Sequence, residues 1–78
     1  MTARITCCVP FCRRTCRNEK GWQEWICQKH WSQVPKRLRR VHTRILRLER
    51  MGQPVPALRA GRIWARVKRA AVEAAAGI

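Results

Sequence analysis

Cys7-Cys8-Val9-Pro10-Phe11-Cys12 and Trp25-Ile26-Cys27-Gln28-Lys29-His30-Trp31 are the two segments whose reading decides the fold of this chain. Three residues separate Cys8 from Cys12, fourteen separate Cys12 from Cys27, and two separate Cys27 from His30. Two ligand pairs, each on a tight turn, bring four donors to one point while closing a single medium-sized loop, and thiolate with imidazole is the donor set that tetrahedral zinc prefers. The spacing predicts a Zn2+ site made by Cys8, Cys12, Cys27 and His30. If the second pair enters a helix, Cys27 and His30 share one of its faces. Cys7 is the first substitute for Cys8, because its gap of four residues to Cys12 is equally acceptable, and Cys16, with three residues between it and Cys12, can replace either partner.

Working outward, the chain has 78 residues and so room for one small domain. A domain of this size buries only about two-thirds of its unfolded surface, which leaves little apolar burial to hold it and makes a staple necessary. Structural zinc supplies an apparent binding energy of about 10–16 kcal/mol, more than such a core provides. The five cysteines are an odd number for a disulfide framework, and Met1-Thr2-Ala3-Arg4-Ile5-Thr6 offers no apolar run for a secretory signal. A reducing, intracellular setting is expected, where clustered cysteines serve as metal ligands. No stretch approaches the roughly 18 apolar residues of a membrane span.

All cysteines precede Val34, as do Trp22, Trp25 and Trp31, and the composition changes at Val34-Pro35. The expected organisation is a zinc-binding head at 1–34 and an arginine-rich helical tail at 35–78, joined as one cooperative unit. In the tail, Leu38, Val41, Ile45 and Leu48 recur at three- and four-residue steps, the stripe of an amphipathic helix. Pro35 suits a helix start, and Gly52 with Pro54 and Pro56 a stop. These signals predict a helix over 35–51, a hinge over 52–56 and a second helix over 57–76, where Leu58, Trp64, Val67, Ala71 and the run of alanines carry the pattern. An antiparallel hairpin of the two is the economical arrangement, with a splayed pair as the alternative. The fold class is thus small, zinc-stapled and mainly α, a short N-terminal knuckle followed by a two-helix basic tail.

The segments 7–12 and 25–31 resemble the Cys-Cys-Cys-His zinc fingers of THAP-type DNA-binding domains, which also pair a short Cys-Cys knuckle with an Ile-Cys-x-x-His-aromatic signature. They are also similar to short treble-clef-like zinc proteins of bacteriophages and prophages. The resemblance covers residues 7 to 31 and implies a zinc ligand set and a general association with nucleic acid, in the cytoplasm or nucleoid of a bacterial host. It does not extend to the base-reading insert of THAP domains, whose two ligand pairs lie several tens of residues apart. HNH nucleases share the treble-clef scaffold but need a His/Asn/His set. Here the only histidines are His30 and His42 and the only asparagine is Asn18.

Charge points to the partner. The chain carries 18 Lys+Arg against 4 Asp+Glu, a formal net charge of +14. Residues 35–70 hold twelve of these cations and one acid, Glu49. A solvated face mixes both signs, whereas this one does not. Lys36, Arg37, Arg39, Arg40, Arg44 and Arg47 on the first tail helix, with Arg13 and Arg14 beside Cys12, are the candidate nucleic-acid contacts, since arginine's planar fork suits phosphate. The expected function is a non-catalytic zinc-finger protein that binds nucleic acid, DNA ahead of RNA. The alternative is a phage-type interaction protein gripping an acidic surface of a host or virion protein. The tryptophans are assigned to the small core around the zinc, with base stacking by one of them as the alternative.

Overall fold

A short antiparallel hairpin opens the chain in the computed structural model, which describes residues 3–77. Strand β1 (Arg4–Thr6) pairs with β2 (Thr15–Arg17) in the register Arg4↔Arg17, Ile5↔Cys16, Thr6↔Thr15. β-Branched Ile5, Thr6 and Thr15 suit the extended backbone. Cys7 N–H donates to the Arg14 carbonyl (2.9 Å) and Asn18 N–H to the Ala3 carbonyl (2.9 Å), which prolongs the pairing at both ends. The two strands lay out residues 7–14 as the loop between them. No strand was expected in the head, because segments of three residues leave too little alternation to read.

Three helices follow: α1 (Gln28–Trp31), α2 (Lys36–Arg50) and α3 (Ala57–Ala76). About half of the chain is helical. Both long helices start directly after a proline that remains extended, with Pro35 at ψ 136 and Pro56 at ψ 128. Each proline carbonyl accepts the first helical bond, from Arg39 N–H and Ala60 N–H respectively (both 3.1 Å). α2 ends as Gly52 turns left-handed at φ 78. Gly52 N–H then donates to the Glu49 carbonyl (3.0 Å) and Gln53 N–H to the Leu48 carbonyl (2.9 Å), the paired bonds of a Schellman stop. No helix among the described residues is long and apolar enough to cross a membrane.

The core draws on both ends of the chain. Cys7, Val9, Ile26, Cys27 and Val34 from the N-terminal part are buried against Val67 and Ala71 of α3, with Leu38, Ile63 and Trp64 packed around them. Small side chains at 67 and 71, both fully buried, let the α3 backbone approach the loop that carries the cysteines. Nearer its start, α3 meets α2, where the Trp64 ring lies 5.6 Å from that of His42. Of the tail's expected stripe residues, Ile45 is buried while Leu38, Val41 and Leu48 are half-buried. Leu58 is not in the core at all and is 69 % exposed. At about 100° per residue it falls about 150° from the line through Ala60, Trp64, Val67 and Ala71, so its helical position turns it to solvent.

Candidate metal centre

The donor atoms of Cys7, Cys12, Cys27 and His30 all lie within 4.8 Å of one another. Cys12 Sγ is 3.8 Å from Cys27 Sγ, and His30 Nδ1 is 3.7 Å from Cys7 Sγ and 3.2 Å from Cys27 Sγ. A tetrahedron with Zn–S of about 2.3 Å and Zn–N of about 2.0–2.1 Å has S···S edges of about 3.8 Å and S···N edges of about 3.6 Å. The four side chains therefore stand at separations that can hold a metal ion, and all five cysteines are unbridged.

The cluster contains Cys7 where the spacing favoured Cys8. β1 sets the parity with which the chain leaves the sheet, before it bends at Cys8 and Val9 and turns at Pro10. Ile5, Cys7 and Val9 turn inward, with Cys7 and Val9 buried and Ile5 half-buried, while Thr6 and Pro10 face solvent. Cys8 falls on the outward-turned parity, and its N–H is held by the Trp25 carbonyl (2.8 Å). A slip of one residue would move every side chain of the segment to the wrong face. Cys16 sits opposite Ile5 in the sheet, outside the cluster.

Each remaining ligand is placed by local backbone chemistry. Cys12 closes a turn by donating its N–H to the Val9 carbonyl (3.1 Å). Cys27 is the extended N-cap residue of α1, whose carbonyl accepts Trp31 N–H (2.8 Å). His30, three positions on, projects on the same side. The Cys27 N–H also donates to Cys7 Sγ (3.3 Å), binding the two ligand pairs together. Burial pushes the Cys7 thiol up. Burial opposes ionisation of Cys27 as well, but the His30 and Lys29 N–H groups and the Cys12 and Cys7 thiols outweigh it and hold Cys27 below its ordinary value.

Around this centre, Glu24 fastens the head to α3. Its carboxylate accepts from Lys68 Nζ and from Trp64 Nε1, the latter at 3.0 Å. The Lys68 bond first, and the Trp64 bond after it, hold Glu24 below the usual carboxylate value, and the Glu24 carboxylate in turn raises Lys68. Burial raises Cys8, with the Glu24 charge adding to it. All four tryptophans line one open groove of about 610 Å³ between the head and the two long helices, together with Glu24, His42, Ile45 and Glu49. His42 is wedged between Trp31 (5.3 Å between ring centres) and Trp64, with Nδ1 buried and unpartnered. Burial lowers its basicity.

The candidate nucleic-acid contacts are distributed as follows. Arg13, Arg14, Lys36, Arg37, Arg40, Arg44 and Arg47 are exposed. Arg39 is half-buried, and its Nε donates to the Val34 carbonyl (3.0 Å), so it also braces the start of α2. On the α3 side, Arg59, Arg62, Arg66 and Arg69 are exposed as well. Comparison of the chain with protein-family models, curated proteins and solved structures finds no match. The resemblance to THAP-type and phage fingers thus stands on the ligand signature alone.

Proposed function

We propose that this is a zinc-stapled, non-catalytic protein that binds nucleic acid, DNA in preference to RNA, through its arginine-rich helices. Zinc is favoured as the metal because three thiols and one imidazole, closed around one point, match its structural sites. Once filled, such a site has no open position for a reacting water. Cys7, Cys12, Cys27 and His30 would hold the ion, and its contribution is to fold the chain. Free thiols at these positions suit a reducing compartment.

The observation that carries the nucleic-acid reading is the segregation of charge on α2. At about 100° per residue, Lys36, Arg37, Arg39, Arg40, Arg44, Arg47 and Arg50 fall within an arc of about 160°, roughly opposite the buried Ile45. On α3, Arg59, Arg62, Arg66 and Arg69 form a ridge on the side away from Val67 and Ala71, spanning about 80°. Carboxylates scarcely interrupt it: among the described ion pairs, Glu24 is engaged by Lys68, and only Glu73 sits on the α3 ridge, beside Arg69 (2.9 Å). Guanidinium groups in this density match the spaced charges of a phosphate backbone. Few groups remain for hydrolysis. His30 belongs to the Cys/His cluster, His42 is wedged between tryptophan rings with its Nδ1 buried, and there is no aspartate.

Binding should be salt-steep. If about six phosphates are neutralised, log K against log salt falls with a slope near −5, at roughly 0.9 per released counterion. The test is anisotropy titration of a 5′-labelled DNA duplex over a range of salt, with the wild type and with Arg37, Arg40, Arg44 and Arg47 all changed to Gln. Arg39 is left intact because of its bond to Val34. The expected outcome is weaker binding to every sequence alike and a slope shallower by about 3–4. Full affinity and slope in the quadruple variant would remove the phosphate-surface assignment, and competition by an acidic protein but not by DNA would favour the interaction-protein reading.

A further inference from the structure

Phe11 is fully exposed, at 102 %, more so than the other exposed large apolar residues Trp22, Leu46, Met51 and Leu58. It also holds a left-handed backbone conformation, φ 68, and is the one non-glycine residue among those described to do so. It occupies the third position of the turn Val9–Cys12, closed by the Cys12 N–H to Val9 carbonyl bond (3.1 Å). Pro10 precedes it. Turns of this kind reserve that position for glycine or asparagine, because a Cβ there crowds the backbone. Two unfavourable choices coincide at one residue: a large ring without neighbours, and a side chain where glycine is relaxed. Residues kept in such conformations mark places where the surroundings, or a ligand, give the strain a use.

The flanking chemistry identifies the ligand. Arg13 and Arg14, both exposed, follow Phe11 by two and three positions, and the turn is anchored at its base by Cys12 of the metal cluster. A bare aromatic ring followed within three residues by two exposed arginines is complementary to a base flanked by its phosphates, since stacking is tolerant of base identity and the charges track the backbone. An apolar pocket on a protein would fill with the ring but leave both arginines unmatched. We propose that the knuckle turn is a second nucleic-acid contact, in which Phe11 stacks on an unpaired base while Arg13 and Arg14 hold the adjoining phosphates. The inference rests on the nucleic-acid reading above and adds to it a preference for unpaired bases. The metal centre then has a double use: it folds the chain and presents the ring on a rigid mount.

Phe11→Gly tests this because stability and binding should move in opposite directions. Glycine relaxes φ 68 and removes an exposed ring, so the melting temperature should rise and metal content should stay at one per chain. Affinity for a single-stranded thymidine 12-mer should fall roughly five- to a hundred-fold, the range for loss of one aromatic–base stack, with the salt slope unchanged because no charge is removed. Phe11→Trp should restore binding. A 12-mer of equal phosphate count whose residues are abasic should bind the wild type and Phe11→Gly equally. If Phe11→Gly binds the thymidine 12-mer as tightly as the wild type does, or if the wild type does not distinguish it from the abasic strand, the stacking role is overturned while the phosphate surface stands. If neither single strands nor duplex bind the wild type, the nucleic-acid reading itself fails and this inference with it.

Discussion

At the scale of single residues, the neighbours Cys7 and Cys8 show how one position of register separates a ligand from a bystander. Cys7 Sγ accepts the Cys27 N–H and stands beside His30 Nδ1, whereas Cys8 is half-buried on the other side, near Glu24 and Lys68. Cys7→Ser should therefore abolish tight metal binding, as would Cys27→Ser, while Cys8→Ser should retain one metal per chain and lose no more than about 1 kcal/mol, as expected for a half-buried, non-ligand position. Metal content by elemental analysis of protein kept reduced, together with thermal melts, decides the matter. Loss of metal in Cys8→Ser with retention in Cys7→Ser would reverse the register. The ligand types and three of the four positions were legible from spacing. The first position was open, because the alternation Ile5-Cys7-Val9 that settles it is a strand signal, and the strand that sets its phase is only three residues long.

At the scale of elements, α3 shows what periodicity transmits and what it omits. Trp64, Val67 and Ala71 were readable as a stripe, since they recur at helical steps. That Val67 and Ala71 pack with Cys7, Val9 and Cys27 as well as with Leu38 of α2 was not readable, because a stripe specifies a buried side without naming its partner. Lys68 illustrates the same limit: grouped with the basic face by composition, it lies on the opposite flank of the helix, bonded to Glu24. Gly61 is the weak point of α3. It is exposed, its φ is not positive, and a Cβ built there meets nothing within 4 Å. No packing or backbone demand retains it. Gly61→Ala should stabilise the protein by about 1 kcal/mol, read as a rise in melting temperature with unchanged metal content. No change or a loss would mean that the first turns of α3 do not hold as a regular helix in solution.

At the scale of the whole molecule, the question is whether a metal bound at the Cys/His cluster would hold only the N-terminal loop or the entire chain. The ligands Cys7 and Cys27 are themselves members of the core that includes Val67 and Ala71. Without metal, three thiols and an imidazole remain crowded together among apolar side chains, and only the three-residue strands and the bonds of Glu24 to Trp64 and Lys68 are left to hold the surface on which α3 rests. Metal binding at about 10–16 kcal/mol is as large as the usual net stability of a domain, about 5–15 kcal/mol. α2, with 15 residues, is at the length where an isolated helix is marginal in water, both long helices draw most of their stability from packing, and the repulsion among cations on α2 weakens it further. Chelation should therefore melt α2 and α3 along with the head: most of the helical circular dichroism should be lost, and tryptophan emission should move to the red, since all four rings line the groove between these parts. Readdition of zinc should restore both signals in one transition with a shared midpoint. If the helical signal instead survives chelation while the tryptophan emission shifts, the long helices form an autonomous pair, and the metal organises only the loop that it binds.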